Sequence, residues 1–277
     1  MKMFDWSWEG QLDAWHLALA PAFLLCFFLA VVVRTDSNSF TGSFIQNISD
    51  PAVKTLPASE FKMESFLPVD IIKNIPTDCT KVSCLALTFD DGPNPLTTSQ
   101  ILDELGRAHV SATFFVIGSR VSGNEALLQR MLNEGHEIGN HSWSHGDISK
   151  ATPDQIKQEV NQTQTAVVSA GAPPPIVFRP PYGTVNQTIQ DNVPMSLLLW
   201  NEDPHDWAAT TSDQVVQAVE SSAHPGAIID LHDIYHVTAN ALPRVLTDLQ
   251  AKGYRFVTVS QLYNLNSDSR GVYYGHP

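Results

Sequence analysis

The chain has 277 residues, 43% of them apolar and 16% charged, and its 16 Lys and Arg against 29 Asp and Glu give a formal net charge of −13. This composition is typical of a globular domain and excludes collagen, a coiled coil and a highly charged disordered chain. Since the charge is negative and no basic run occurs, we expect no nucleic-acid partner, and we infer no protein partner.

The first predicted element is an apolar helix over residues 14–33, which contain no Lys, Arg, Asp or Glu. At about 1.5 Å per residue it would span about 30 Å, the thickness of one hydrocarbon core. The acidic residues before it favour an uncleaved membrane anchor over a signal peptide. We therefore predict that residues 1–34 are a membrane anchor or signal segment and that the catalytic domain lies outside the cytoplasm. Secretion after cleavage is the alternative, and a buried core helix is the third interpretation.

Residues 35–68 are rich in Ser, Thr, Asn and Pro without lasting periodicity, which predicts a linker. A folded domain is then expected over residues 69–265, followed by a C-terminal tail over residues 266–277. Near the start of this domain, Cys79 and Cys84 lie five residues apart. They are either two free thiols or a disulfide that formed outside the cytoplasm.

Within the domain, short apolar runs alternate with helical patterns. The seven predicted strands are 85–89, 112–117, 136–139, 176–178, 195–200, 227–231 and 255–259, and the helices between them are 98–108, 124–134, 153–170, 212–222 and 238–252. This alternation predicts an α/β fold, an irregular (β/α) barrel with about seven parallel strands, preceded by the N-terminal hydrophobic helix and linker. An open doubly wound sheet is the alternative. In either fold, we expect the chemistry at the carboxyl ends of the strands.

Two strand ends carry residues suited to a cation. The first strand ends in the adjacent carboxylates Asp90 and Asp91, followed by Gly92, which permits a turn. After the third strand, His141 and His145 are four residues apart, so that two imidazoles can bind one ion. Together these residues predict a metal site with open positions for water and substrate.

Later strand ends carry groups suited to acid–base chemistry. Arg179, after the fourth strand, can hold a carboxylate and keep its pKa low. Two prolines follow it, so the N–H of Tyr182 is the first amide available to an oxyanion. A carboxylate such as Asp206 would raise the pKa of His232 and allow that histidine to act as a general acid.

Taken in order, the motifs TFDDG, HSWSH, RPPYG, DPHDW and the segment ending at His232 resemble those of the NodB-like polysaccharide deacetylases, the fourth carbohydrate esterase family. The resemblance runs from about Cys84 to about Leu262. It implies a metal-dependent hydrolase that removes N-acetyl groups from N-acetylglucosamine units of peptidoglycan or a chitin-type polymer. The implied partner is therefore an acetylated polysaccharide or oligosaccharide. Contact with the membrane through residues 14–33 is predicted from the apolar segment alone.

The resemblance also implies a role for each motif residue. The metal would be bound by Asp91, His141 and His145. The resemblance implies zinc, and cobalt, nickel or manganese also suit such a site. The catalytic group would comprise Asp90 as general base, Arg179 as the residue that tunes it, Tyr182 as oxyanion donor, Asp206 as the partner of the acid, and His232 as general acid.

Three residues are predicted to line the substrate site. Trp207 would form a wall of the acetyl pocket, and Pro180 belongs to the loop beside it. Asp230 departs from the family pattern, which has an aliphatic residue two positions before the final histidine. A carboxylate there implies a wetter pocket, a side chain that points elsewhere, or a different substrate. An O-deacetylase of acetylated xylan and a non-catalytic glycan-binding wall protein are therefore kept as alternatives.

Overall fold

The computed structural model describes residues 77–275, so the predicted anchor (1–34) and linker (35–68) lie outside the described residues. The strands in this part of the chain are β1 (Cys84–Asp90), β2 (Thr113–Val116), β3 (Glu137–Asn140), β4 (Val177–Phe178), β5 (Ser196–Leu198), β6 (Ile228–His232), β7 (Arg255–Phe256) and β8 (Val272–Tyr273). The α-helices are α1 (Thr97–Ala108), α2 (Glu125–Asn133), α3 (Pro153–Ser169), α4 (Gln187–Asn192), α5 (Ser212–Ser222), α6 (His236–Ala251) and α7 (Val259–Tyr263).

The strands form one parallel sheet. Seven of them follow the order β6-β1-β2-β3-β4-β5-β8, and β7 pairs with β1. A backbone bridge between Glu202 and Ile229 also joins the chain after β5 to β6. The predicted α/β architecture is thus confirmed as a parallel half-barrel with helices. Residues 266–277, predicted as a tail, include β8, which pairs with β5.

Local sequence explains where the longer helices begin. Thr152 accepts a hydrogen bond from the backbone N–H of Gln155, whose side chain bonds back to Thr152, and a proline opens α3. Thr211 and Gln214 form the same capping box at α5. These caps satisfy amides that would otherwise lack a partner at the start of each helix.

The core lies on both faces of β1. Leu87 and Phe89 pack with buried residues of α1, α5 and α6, whereas Ala86 belongs to a separate apolar cluster with Phe115 and Leu198. Because successive strand residues point to opposite faces, Thr88 and Asp90 share the face of Ala86. The polar side chains of the site on β1 are therefore on the same face of the strand as this second apolar cluster.

Strand register brings the predicted site residues together. Asp90, the last residue of β1, pairs with His232, the last residue of β6. Asn140 of β3 pairs with Phe178 of β4, so the residues that follow these strands, His141 and Arg179, also come side by side. The site is at the carboxyl edge of the sheet, as the sequence predicted.

A disulfide joins Cys79 to Cys84 immediately before β1, with 5.4 Å between the Cα atoms. Of the two states considered for these cysteines, the structure therefore contains the disulfide. Among residues 77–275, no helix combines the length and the apolar character needed to cross a bilayer.

Candidate active site

The predicted metal ligands converge at the carboxyl edge of the sheet. Nε2 of His145 lies 3.2 Å from Oδ1 of Asp91, and Nε2 of His141 lies 3.6 Å from the same oxygen. One ligand atom from each of these three residues lies within 4.8 Å of the other two. Asp91 reaches this position with a φ of +74°, at the point where β1 ends and the chain turns.

The donor set fits a divalent cation. Oδ1 of Asp91 is buried and accepts no hydrogen bond from the described residues. Nδ1 of His141 lies 2.7 Å from the carbonyl oxygen of Arg179, to which it can donate, so that Nε2 is left as the lone-pair donor. Burial lowers the pKa of His141, which favours the neutral imidazole that a metal requires.

Gly92 makes room for another carboxylate beneath this turn. A Cβ at Gly92 would lie 2.0 Å from Oδ2 of Asp233, so no larger residue fits there without a shift. Asp233 accepts a hydrogen bond of 2.6 Å from the Thr98 hydroxyl. Burial raises the pKa of Asp233 to about 7, helped by the charges of Asp91 and Asp90. The sequence places Asp233 directly after a strand but predicted no role for it.

Arg179 is fully buried and links two carboxylates. Its Nη1 lies 2.8 Å from Oδ1 of Asp90, Oδ1 of Asp230 and Oγ1 of Thr88, while Nε and Nη2 donate to the carbonyls of residues 198 and 199. The guanidinium also lies 4.1 Å from the ring centroid of Phe115. Oδ1 of Asp90 is thus held by Arg179, whereas Oδ2 of Asp90 lies 3.5 Å from Nε2 of His141, one of the predicted metal ligands.

Asp230 is 3% exposed and its carboxylate is bonded to Arg179. This contact agrees with the second explanation for Asp230, a side chain that points elsewhere, because the carboxylate points to the cationic group of Arg179. Burial raises the pKa of Asp230 well above its ordinary value, the charge of Asp90 adds to this shift, and Arg179 opposes it. Two buried carboxylates share one guanidinium here, so a second negative charge beside the first is disfavoured.

We expect Asp230→Asn to become more stable relative to the native protein as pH rises from about 4 to about 8. A raised pKa means that the folded state binds the Asp230 proton more tightly than the unfolded state does, so native stability falls as that proton is lost. Asparagine has no such proton. Urea unfolding of both proteins across this range, with the exposed Asp154→Asn as control, measures the difference. A difference that does not change with pH would contradict the assignment.

The two residues predicted as general acid and its partner, His232 and Asp206, are in contact. His232 Nδ1 lies 2.8 Å from Oδ1 of the fully buried Asp206, and Oδ2 of Asp206 accepts hydrogen bonds from the His232 N–H and from the Thr238 hydroxyl. Burial lowers the pKa of His232, but its hydrogen bond to Asp206 and the charges of Asp206, Asp90 and Asp230 outweigh burial and raise the pKa to about 10. His232 is therefore an imidazolium at neutral pH.

Aromatic side chains surround these groups. Tyr182 has a φ of +59°, and its exposed ring lies edge-on to His145 with 4.9 Å between centroids. Trp207 is 53% exposed and stacks on His205 next to the acid pair. Pro180 is buried, so in this loop Tyr182 offers the exposed ring.

Two supporting residues were not predicted. Tyr235 lies edge-on to His232, with 5.8 Å between centroids, and Thr238 bonds Asp206 from the first turns of α6. Tyr235 and Thr238 follow His232 by three and six residues. That proximity, at a strand-to-helix turn, was the available signal.

A family model described as polysaccharide deacetylase matches residues 77–194. The chain is 43% identical over 178 residues to the peptidoglycan-N-acetylmuramic acid deacetylase PdaC of Bacillus subtilis, covering 64% of this chain and 38% of PdaC. It is 34% identical over 219 residues to a chitooligosaccharide deacetylase of Bradyrhizobium sp., covering 73% of this chain and 100% of that protein. The chain thus spans about two fifths of the length of PdaC and the whole of a shorter relative.

Solved structures of similar fold include a family 4 acetyl xylan esterase from Clostridium thermocellum in complex with a cobalt ion. The two chains are 36% identical, with a TM-score of 0.66, and the match covers 70% of this chain and 99% of the esterase. The similar proteins therefore include both amide and ester hydrolases by name.

Proposed function

The chain belongs to the polysaccharide deacetylase family, and we propose that it is a metal-dependent hydrolase of N-acetyl groups on N-acetylglucosamine units of a polysaccharide. One observation carries this proposal: Asp90, bonded to Arg179, ends the strand next to the one that ends in His232, which is protonated through Asp206. A base and an acid in adjacent positions suit hydrolysis of an amide, whose amine must leave with a proton.

Asp90 would act as the general base. Its Oδ1 is bonded to Arg179, whereas Oδ2 lies on the side of His141 and the other predicted metal ligands. Oδ2 is therefore the atom that would take a proton from the attacking water. Arg179 fixes the carboxylate in this orientation.

Asp91, His141 and His145 would hold the metal through one carboxylate oxygen and two Nε2 atoms. Bound there, a divalent cation supplies a Lewis acid that polarises the acetyl carbonyl and acidifies water. The carbonyl oxygen of Arg179 orients the His141 ring for this role. Zinc is our proposed metal, because an Asp-His-His set with open positions is typical of catalytic zinc.

His232 would act as the general acid. Since Nδ1 is bonded to Asp206, the proton on Nε2 is the one available to the leaving amine. The raised pKa of about 10 keeps that proton in place before the reaction. Thr238 holds the second oxygen of Asp206 and so fixes the pair.

The remaining predicted residues would bind the acyl group and the sugar. The backbone N–H of Tyr182 would donate to the oxyanion, because it follows two prolines that have no amide hydrogen. The exposed ring of Trp207 would form one wall of the acetyl pocket. Exposed aromatic faces beside a reacting centre suit the apolar faces of sugar rings.

We also propose that the domain acts outside the cytoplasm. The Cys79–Cys84 disulfide supports this location, because disulfides persist in oxidising compartments and are rare in the cytosol. A polymeric cell-wall substrate fits the same location. Whether the chain is anchored through residues 14–33 or secreted after cleavage is a separate question, which the mass of the mature protein answers.

We expect the chain to release acetate from chitooligosaccharide or peptidoglycan, to lose this activity on chelation and to regain it with zinc. Acetylated xylan is assayed in parallel, because one similar structure is an acetyl xylan esterase. Release from xylan alone would instead support an O-deacetylase. Activity that survives complete metal removal would contradict metal dependence. A metal-loaded chain that binds the glycans without releasing acetate would support the glycan-binding alternative.

A further inference from the structure

The turn between the two predicted metal-binding histidines is held by a carboxylate from α3. Oε2 of Glu159 accepts hydrogen bonds of 2.9 Å and 2.8 Å from the backbone N–H groups of Trp143 and Ser144. Its Oε1 accepts a third, of 2.9 Å, from the Ser144 hydroxyl. One side chain outside the HSWSH motif therefore fixes the middle of that motif.

The backbone of this turn needs such support. Ser142 has a φ of +64° and His145 a φ of +58°, a region that residues other than glycine rarely adopt. Two such residues within four positions are maintained only where surrounding contacts offset the strain. Successive N–H groups in such a turn form a concave site for an anion, and Glu159 fills it.

The other hydrogen bonds that hold the backbone of the turn come from neutral groups. The Asn140 side chain accepts from the Ser142 N–H, and the Ser142 hydroxyl accepts from the His145 N–H. Asn140 also donates to the carbonyl of Val160, the neighbour of Glu159 on α3. The turn is thus tied to one part of α3, and Glu159 provides the charged part of that connection.

We propose that Glu159 is a positioning residue of the metal site, which sets the 142–145 turn so that Nε2 of His141 and of His145 both face Asp91. This inference rests on the proposed function, because it takes these three residues as the metal ligands. The three hydrogen bonds that the Glu159 carboxylate accepts come from Trp143 and Ser144, neither of which is a predicted metal ligand. Glu159 acts on the position of the His145 ring relative to the His141 ring, and the centroids of these two rings lie 4.9 Å apart.

The test is the zinc affinity and the cobalt absorption spectrum of the full chain carrying Glu159→Ala or Glu159→Gln. We expect Glu159→Ala to weaken zinc binding about 10- to 100-fold, the range found when groups that orient metal ligands are removed. The visible cobalt bands should also change in intensity, since the coordination geometry is altered. Glu159→Gln keeps an acceptor oxygen without the charge, so its loss should be smaller, about three- to tenfold.

Gln158→Ala is the matched control, an exposed neighbour on the same helix, and should bind zinc as the native chain does. Zinc affinity of Glu159→Ala within twofold of native, with an unchanged cobalt spectrum, would overturn the inference. If Glu159→Ala does not fold, native affinity in a folded Glu159→Gln would overturn it instead. A native chain that binds no zinc would contradict the metal site of the proposed function, which is a different outcome.

Discussion

Asp90→Asn is expected to lower kcat about 10²- to 10⁴-fold, the contribution typical of a positioned general base. Asparagine keeps the size of the side chain and an oxygen that can accept from Arg179, which lies 2.8 Å from Oδ1 of Asp90. It cannot take a proton from water. Zinc affinity should remain within a few-fold of native, because the three proposed ligands are unchanged.

Acetate release under saturating substrate and zinc binding by chelator competition measure these two quantities separately. Asp154→Asn, an exposed aspartate on α3, serves as the control for the change of charge. Normal turnover by Asp90→Asn would remove Asp90 from the role of base. Loss of zinc together with turnover would indicate that Asp90 is a metal ligand.

His141→Ala is expected to abolish acetate release and to weaken zinc binding more than about 100-fold, beyond the loss caused by removing a group that only orients a ligand. The change removes one of three ligands and leaves the carbonyl of Arg179 without its 2.7 Å partner. Because alanine also leaves a cavity at a buried position, circular dichroism should establish that the variant is folded.

His109→Asn is a suitable control, because His109 is exposed at the end of α1 and asparagine tolerates its φ of +54°. It should bind zinc and release acetate as the native chain does. If folded His141→Ala retained native zinc affinity, the cation would have to be held elsewhere. An excess of zinc that restored full turnover would show that His141 affects affinity alone.

The sequence predicted the strand ends well because their chemistry is local. Asp90, His141, Arg179 and His232 each directly end or follow a strand, and parallel strands bring such positions to one edge. The family resemblance also implied the Asp206–His232 contact, which the structure shows at 2.8 Å. These features depend on the topology of the sheet and little on detailed packing.

What the sequence did not predict depends on how distant segments cross. From the sequence, Glu159 is one of several polar residues of a helix, for which a side chain facing solvent is the expectation. The path of the turn after β3 is what brings its carboxylate to the Ser144 N–H. Likewise, β8 has only two residues, which is too short for a period-two pattern to identify it. The partner of Asp230, Arg179, could be identified only from the structure, because a buried carboxylate can pair with a side chain from any neighbouring strand.

Arg179 has a consequence for how this enzyme can be altered by directed evolution. The guanidinium is bonded to Thr88 and Asp90 of β1, to Asp230 of β6 and to the carbonyls at the end of β5. Selection on catalytic rate cannot vary this residue without also loosening the barrel. Asp230 is bonded to the same guanidinium but has no proposed part in the reaction, so a substitution there can change the charge beside Asp90 while Arg179 keeps its bonds to the carbonyls at the end of β5.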